Sequence, residues 1–165
     1  MYLLTLLFKK VETVGYKSFA SIVSNNNLLV LDNSVVMRWF FNDGSDEDLE
    51  YAEKVLRRIK KGHLTLVAPS LWLSEASFVT RSYVKREIVK SQIVVEKLTE
   101  AFNFFSVVEC HFNAVELFDF STKFNLSSYD ANYALLANKL NCPLATLDRK
   151  LRKIMEQSGG LILDI

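Results

Sequence analysis

The sequence predicts an α/β protein with three layers, α/β/α, around a short and mostly parallel sheet. Short apolar runs alternate along the chain with longer amphipathic segments, which is typical of parallel strands covered by helices. The chain has 165 residues, of which 50% are hydrophobic and 24% charged, so it can bury a core without a disulfide or a metal ion. We therefore expect one main domain, which we place at residues 28–165.

Residues 1–27 differ from this pattern and end in a polar segment, Ser24–Asn27, that cannot continue a packed element. We predict an N-terminal extension over 1–27 whose structure the sequence does not define. Its apolar start, Met1–Phe8, is short and is followed by Lys9 and Lys10 rather than preceded by them, which disfavours a signal peptide. No apolar run reaches the length of a membrane span, and we expect a cytoplasmic protein that does not bind membranes.

The cysteines and histidines do not suggest a disulfide or a zinc site. Cys110 and Cys142 are far apart and form no CxxC pair, so we expect buried free thiols. With only His63 and His111 besides, a structural zinc site has too few ligands. Both observations favour a reducing compartment.

The domain begins with an apolar run over 28–31 that stops at Asp32, which predicts a strand buried on both faces. Ser34 can cap a helix over 35–41. The next helix has acidic residues around its start and basic residues before Gly62, a polarity that matches the helix dipole and a glycine stop.

A second strand is predicted over 64–68, and Pro69 then suits the start of a helix that runs to about Arg86. Another amphipathic segment predicts a helix over about 89–104. The short apolar run at 106–109 predicts a third strand.

The last part of the chain repeats the alternation of helix and strand. Helices are predicted over about 113–124 and 128–140, and a strand over 143–147 that stops at Asp148. A basic helix follows, ends at a pair of glycines, and leads to a last predicted strand at 161–163.

Four acidic residues are candidates for one functional site. Asp32 and Asp148 each end a predicted parallel strand, and such sheets bind ligands beyond the carboxyl ends of their strands. Glu75 lies just over a turn into the helix after the second strand, on an otherwise apolar stripe, and Asp130 lies in the first turn of its helix. Carboxylates that converge without Lys or Arg partners repel one another. Such clusters usually hold hard cations, so we predict a site for Mg²⁺ or Mn²⁺.

Most of these acids also have a structural explanation that the sequence leaves open. Asp32 and Asp148 could cap the helices that follow them, and Asp130 stands three residues after Ser127 in a capping-box arrangement. Glu75 is the hardest to explain in this way, because an unpaired buried carboxylate costs several kcal/mol of desolvation.

The four acids lie in segments that follow the order and spacing of a known set of motifs. The segments are Leu31–Phe40, Ala68–Glu75, Leu126–Ala137 and Cys142–Leu151. Together they resemble the motifs of PIN-domain ribonucleases, in particular VapC-type toxins of toxin–antitoxin systems. The resemblance extends from about Leu28 to the C-terminus.

The resemblance implies a metal-dependent endoribonuclease, with Mg²⁺ or Mn²⁺ as cofactor, that acts as the toxin of a type II toxin–antitoxin pair. It also implies RNA as substrate, a cognate antitoxin as partner, and a homodimer. The family's catalytic and metal-binding acids fall on Asp32, Glu75, Asp130 and Asp148, and its small polar residues that orient carboxylates or waters fall on Ser34 and Thr146. Two features depart from the family pattern, namely Asn33, where a small residue is more common, and the N-terminal extension.

On this hypothesis a metal-activated water attacks the phosphorus of RNA, with Asp32 and Asp130 as the principal ligands. Basic residues beside the site could hold flanking phosphates, and Arg149 and Lys150 are the best candidates because they follow Asp148 directly. Further candidates, which a solvated helix face explains equally well, are Arg81, Lys85, Arg86, Lys90, Arg152 and Lys153.

Two other functions stay open at this point. A PIN fold that has lost catalysis could serve as a module that binds RNA or protein. A phosphoacceptor receiver domain also places acids at strand ends, but it needs a second acid beside the first and a lysine after a later strand, where this chain has Asn33 and Asp148. Metal-dependent cleavage separates the first alternative from a ribonuclease, and labelling with a phosphoryl donor tests the second.

The net charge of +1, from 20 Lys and Arg against 19 Asp and Glu, at first argues against a nucleic-acid-binding protein, which is usually basic. Four of the 19 acidic residues are the site candidates, which leaves 15 acidic residues against the 20 basic ones. A bound cation would neutralise much of the charge of the site as well. The near-neutral charge is therefore compatible with an enzyme that acts on nucleic acid.

Overall fold

The computed structural model describes residues 27–62, 64–104, 106–108 and 112–165, and for 101–104 and 106–108 it describes the backbone alone. The predicted N-terminal extension therefore lies outside the described residues except for Asn27. His63, Cys110 and His111 lie outside them as well. Cys142 is described, and it is a buried free thiol as predicted.

Strands and helices alternate along the described chain. In order, the elements are β1 (Leu28–Leu31), α1 (Asn33–Phe41), α2 (Asp46–Lys61), β2 (Thr65–Pro69), α3 (Trp72–Lys85), α4 (Ser91–Phe104), β3 (Ser106–Val108), α5 (Ala114–Phe124), α6 (Ser128–Leu140), β4 (Leu144–Ala145) and α7 (Arg149–Gln157). Most of these bounds lie within a residue or two of the predicted ones, and α6 has the predicted bounds.

The sheet has four strands in the order β3-β2-β1-β4, and all neighbouring strands are parallel. β1 lies at the centre, where Leu29 pairs with Leu66 of β2 and Val30 pairs with Leu144 of β4. All four residues of β1 are buried, as expected for a strand with helices on both faces. This confirms the predicted three-layer α/β/α class with a short parallel sheet.

The helices pack in a continuous set around the sheet. α6 contacts β1, β2 and β4, and both α5 and α7 pack against α6. α1 packs against α2 and α3, and α3 packs against α4. α2 begins with a capping box between Ser45 and Asp48 and ends in Arg58, Lys60 and Lys61, which is the charge polarity that the sequence predicted.

Three predicted details are wrong. The expected strand at 161–163 makes only one bridge, between Leu144 and Ile162. Ser34 does not cap a helix, since it lies inside α1, and the N-cap position belongs to Asp32. Pro69 does not begin α3 but ends β2, where its fixed φ and missing N–H are tolerated at the end of a strand.

Asparagines end three of the helices. Asn42, Asn125 and Asn141 follow α1, α5 and α6 with φ values of 50°, 50° and 47°. In this left-handed conformation the backbone N–H of each residue turns back to a carbonyl of the last helical turn, and Asn tolerates it better than most residues. Among the described residues, no helix is both long and apolar enough to cross a membrane.

Candidate functional site

Asp32 stands at the carboxyl end of β1 and is only 7% exposed. Two hydroxyl groups donate hydrogen bonds to the same carboxylate oxygen, Oδ2: Ser34 Oγ at 2.6 Å and Thr146 Oγ1 at 2.6 Å. Each hydroxyl in turn accepts a backbone N–H from the segment between β4 and α7. Leu147 donates to Ser34 Oγ at 3.1 Å, and Asp148 donates to Thr146 Oγ1 at 3.0 Å. The structure thus places both predicted small polar residues on one buried carboxylate.

The electrostatic environment of Asp32 disfavours its ionised form. Burial raises the pKa of its carboxyl group, the hydrogen bonds from Ser34 and Thr146 lower it, and the nearby Asp130 raises it again. The net pKa shift is upward. A buried carboxylate in this state gains from any cation that approaches it.

Glu75 reaches the same edge of the sheet from the first turn of α3. Its half-buried side chain accepts a hydrogen bond at Oε2 from the hydroxyl of Tyr133, at 2.6 Å. Burial raises the pKa of Glu75 to about 7, and Asp32 and Asp130 contribute in the same direction, whereas hydrogen bonds from Tyr133 and Asn33 oppose the shift. Glu75 therefore lies close enough to Asp32 and Asp130 for their charges to raise its pKa.

Asp130 lies in the first turn of α6 and acts in both of the ways that the sequence left open. Its backbone N–H donates to Ser127 Oγ at 3.1 Å, which caps the helix. The Ser127 hydroxyl donates to Asp130 Oδ2 at 2.8 Å. At the same time the Asp130 carboxylate raises the pKa of Asp32 and of Glu75. Capping and membership of the acidic site are not exclusive here.

Asp148 stands beside the other acids in the fold, but its carboxylate serves its own helix. Asp148 is exposed and is the N-cap of α7, with Oδ1 accepting from the backbone N–H groups of Lys150 at 2.7 Å and Leu151 at 2.9 Å. The first N–H groups of a helix have no partner inside it, and the nearest carboxylate satisfies them. Asp32, Glu75 and Asp130 thus lie near enough for their charges to act on one another, whereas the Asp148 carboxylate caps α7.

Tyr133 and Asn33 belong to this site although sequence reasoning did not select them. Tyr133 is 1% exposed and Asn33 is 2% exposed. Burial and the nearby carboxylates of Asp32 and Glu75 raise the pKa of Tyr133 far above its ordinary value, so the hydroxyl stays protonated and donates to Glu75. One available signal was its position three residues after Asp130, which puts both side chains on the same helix face.

The predicted RNA-contacting residues differ in how much they are held by the protein. Arg149 is exposed, and its guanidinium lies 3.5 Å from the equally exposed carboxylate of Glu47. The ammonium group of Lys150 donates to the backbone carbonyl of Asn125. Arg152 pairs with Asp164 at 2.7 Å. Among Arg149, Lys150 and Arg152, Arg149 is therefore the least held by the protein.

The chemistry of the site fits a divalent cation. Asp32, Glu75 and Asp130 supply carboxylate oxygens, which are the donors that Mg²⁺ and Mn²⁺ prefer. Within the described part of the chain, no ion pair involves any of these acids. Among the described residues, no three His, Cys, Asp or Glu side chains lie close enough together to share one metal ion.

The fold and the site define an α/β protein with carboxylates gathered at the carboxyl edge of a parallel sheet. The chain belongs to the PIN domain family, because the model of that family matches residues 29–156. PIN domains are generally metal-dependent nucleases. Membership of this family excludes the receiver-domain alternative.

A solved structure supports the same fold. The chain is similar to the crystal structure of PAE2754 from Pyrobaculum aerophilum, with a TM-score of 0.58 and 21% sequence identity. The similarity covers 76% of this chain and 84% of that chain. At this identity the likeness concerns the fold alone. No curated protein matches the chain.

The pKa of Glu75 predicts how the stability of the metal-free protein depends on pH. The folded-state value of about 7 lies above the ordinary value of 4.5, so the folded protein binds this proton more tightly than the unfolded chain does. That stabilisation is complete below about pH 4.5 and is lost as pH rises through about 7. Through Glu75, the wild type should lose about 1–3 kcal/mol of unfolding free energy as pH rises, allowing for the partial exposure of the side chain. We expect this loss to be absent in Glu75→Gln.

The measurement is the free energy of unfolding in urea with a chelator present, at about pH 5 and about pH 8. Glu96→Gln is the matched control, because Glu96 is exposed on α4 and should leave the pH dependence unchanged. An equal pH dependence in wild type and Glu75→Gln would contradict the assignment.

The hydroxyl of Thr146 is expected to stabilise the buried Asp32 carboxylate. Thr146→Val keeps the shape of the side chain and removes both the 2.6 Å bond to Asp32 and the acceptor of the Asp148 backbone N–H, so it should cost about 1–3 kcal/mol of unfolding free energy. The cost should be larger at about pH 8 than at about pH 5, because the lost bond favours the ionised carboxylate.

Thr80→Val is the matched control for this comparison. Thr80 is also buried, at 2% exposure, but its hydroxyl donates to helix carbonyls, at 2.7 Å to Ala76. Such bonds back to the helix contribute little, so this variant should lose less stability and show no added pH dependence. Equal losses in the two variants at both pH values would rule out a special role for the Thr146 hydroxyl.

Proposed function

We propose that this protein is a metal-dependent endoribonuclease that hydrolyses phosphodiester bonds of RNA with Mg²⁺ or Mn²⁺. The observation that carries the proposal is the gathering of Asp32, Glu75 and Asp130 at the edge of the sheet with no Lys or Arg paired to them among the described residues. Unpaired carboxylates at such a place are costly to maintain unless a cation is bound. The metal dependence that is general in PIN domains supports the same function.

Four carboxylates would hold the cation in this proposal. Asp32 would bind through Oδ1, since both hydroxyl groups occupy Oδ2, and Glu75 and Asp130 would bind from α3 and α6. Asp148 would contribute through Oδ2, directly or through a water, because the α7 cap uses Oδ1. When bound, a divalent cation supplies an activated water and neutralises negative charge on the phosphate.

The rest of the site would bind and orient the RNA. Asp32, Asp130 and Asp148 stand at the N-terminal ends of α1, α6 and α7, and the N–H groups and dipoles of helix N-termini favour phosphate. Arg149, next to Asp148, is free to contact a phosphate because its exposed pair with Glu47 contributes little. Lys150 would contribute less, since it already donates to Asn125.

The test of this function is cleavage of RNA by the purified protein, with and without Mn²⁺ or Mg²⁺. We expect cleavage that stops with a chelator and falls by about 100-fold or more in Asp32→Asn, because this variant removes the charge of a principal ligand. Asp119→Asn is the control, since Asp119 is an exposed acid on α5 outside the site. Cleavage that survives Asp32→Asn in the presence of metal would overturn the assignment.

The alternative function, a PIN fold that binds RNA or protein without catalysis, predicts a different result. In that case the wild type would bind RNA, and neither metal would produce cleavage. The observation that favours this alternative is the use of the Asp148 carboxylate as the cap of α7.

We further propose that the nuclease is the toxin of a type II toxin–antitoxin pair and forms a homodimer. The support is the order of the four motifs at 31–40, 68–75, 126–137 and 142–151. Large exposed apolar side chains on α3 and α5, such as Phe78 at 74% and Phe118 at 66% exposure, supply surface that a partner would cover.

Induced expression in a bacterial host tests the toxin role. We expect the wild type to arrest growth and Asp32→Asn not to, because arrest would require cleavage of cellular RNA. Coexpression of a small neighbouring gene product should restore growth and copurify with the wild type. Unimpaired growth with confirmed cleavage in vitro would refute the toxin role and leave the nuclease function standing. Sedimentation of the purified protein tests the homodimer.

A further inference from the structure

The Tyr133 hydroxyl lies where three helices meet at the acidic site. Tyr133 belongs to α6, and its hydroxyl donates to Glu75 Oε2 of α3 at 2.6 Å. The backbone N–H of Asn33, the first residue of α1, lies near the same hydroxyl and lowers the pKa of Tyr133 against the effect of burial. The 2.6 Å bond fixes the direction in which the hydroxyl donates to Glu75.

The side chain of Asn33 lies near the same carboxylate and lowers the pKa of Glu75 against the effect of burial. Asn33 is 2% exposed, and its Oδ1 is buried without a hydrogen-bond partner among the described residues. A buried amide oxygen without a partner is unfavourable. A side chain needed only for packing would avoid this cost, so the amide needs another explanation, and the contact with Glu75 supplies one.

Glu75 needs such support more than the other acids do. Asp32 is held by two hydroxyl groups at Oδ2, and Asp130 is held by Ser127. Glu75 has a longer side chain with more rotatable bonds. Tyr133 donates a hydrogen bond to it, and the side chain of Asn33 lies near it. Without them the carboxylate could turn away from the nearby Asp32 and Asp130, whose charges disfavour its approach.

We propose that Tyr133 and Asn33 are positioning residues that hold the Glu75 carboxylate toward Asp32 and Asp130 and thereby raise the affinity of the site for a divalent cation. The inference rests on the proposed function, because it assigns these two residues to the metal site of that enzyme. Neither residue would touch the substrate or the reacting atoms. Their contribution is to fix a ligand before the cation arrives, which is how residues behind metal ligands act in other sites.

The test measures the binding of Mn²⁺ to the metal-free protein by titration calorimetry. We expect Tyr133→Phe to weaken Mn²⁺ binding by about 10–100-fold. Tyr51→Phe is the matched control, because its hydroxyl donates to the carbonyl of Leu163 at 2.9 Å, away from the acids. Both variants lose one tyrosine hydrogen bond, so a merely structural effect would appear in both, and only a positioning effect is confined to Tyr133→Phe.

Asn33→Ala gives a second, independent readout. Removing a buried amide that has an unsatisfied oxygen should leave the urea midpoint unchanged or raise it. The same change should weaken Mn²⁺ binding, since Glu75 loses a polar neighbour that restrains its carboxylate. A variant that is at least as stable as the wild type and binds Mn²⁺ more weakly has lost positioning rather than structure. Unchanged Mn²⁺ affinity in both Tyr133→Phe and Asn33→Ala would overturn the proposal.

A double-mutant cycle in metal-free protein separates this inference from the function on which it rests. If Tyr133 holds Glu75, Tyr133→Phe should lower the urea midpoint less in a Glu75→Ala background than in the wild type. Equal shifts in the two backgrounds would overturn the proposal. The cycle could show coupling while the wild type neither binds Mn²⁺ nor cleaves RNA. That result would support the contact between Tyr133 and Glu75 and would overturn the proposed function.

Discussion

The carboxylate of Asp32, buried at the end of the central strand, is the constraint on which the rest of the site depends. A carboxylate at 7% exposure is unstable unless hydrogen-bond donors surround it. Here the donors are Ser34 from α1 and Thr146 from the end of β4, and both hydroxyls are themselves held by backbone N–H groups before α7. One oxygen atom therefore fixes the positions of β1, α1 and the start of α7 relative to one another.

The parallel sheet determines where the other acids can stand. Because all strands run in the same direction, the helices that directly follow β1, β2 and β4 begin at the same edge. Asp32, Glu75 and Asp148 occupy the N-cap or the first turn of these helices, α1, α3 and α7. Asp130 occupies the first turn of α6, which follows α5. Helix N-termini stabilise negative charge, but this offsets only part of the cost of bringing carboxylates together. The raised pKa values of Asp32 and Glu75 come mainly from burial, and the neighbouring carboxylates add to the shift.

Features that depend on local sequence pattern could be predicted from the sequence. Features that depend on tertiary contacts could not. The bounds of α6 and the strand at 28–31 follow from periodicity and stop signals. The pattern at 161–163 is equally apolar, yet it forms only the bridge from Ile162 to Leu144, because β4 is two residues long and offers little edge for pairing. Tyr133 resembled a core aromatic, since nothing local shows that its hydroxyl meets Glu75 from another helix.

The sequence left open whether Asp32, Asp130 and Asp148 are helix caps or metal ligands. A carboxylate has two oxygens, so one residue can serve in both ways. Asp32 and Asp148 each use a single oxygen for their hydroxyl or capping bonds. Asp130 relies on its backbone N–H for the cap while its carboxylate remains within the electrostatic reach of Asp32. Glu75 cannot divide its roles in this way, because it lies past the capping position of α3. It therefore depends on side chains from α1 and α6 for its orientation, and this dependence explains why a buried tyrosine and an incompletely bonded asparagine stand behind it.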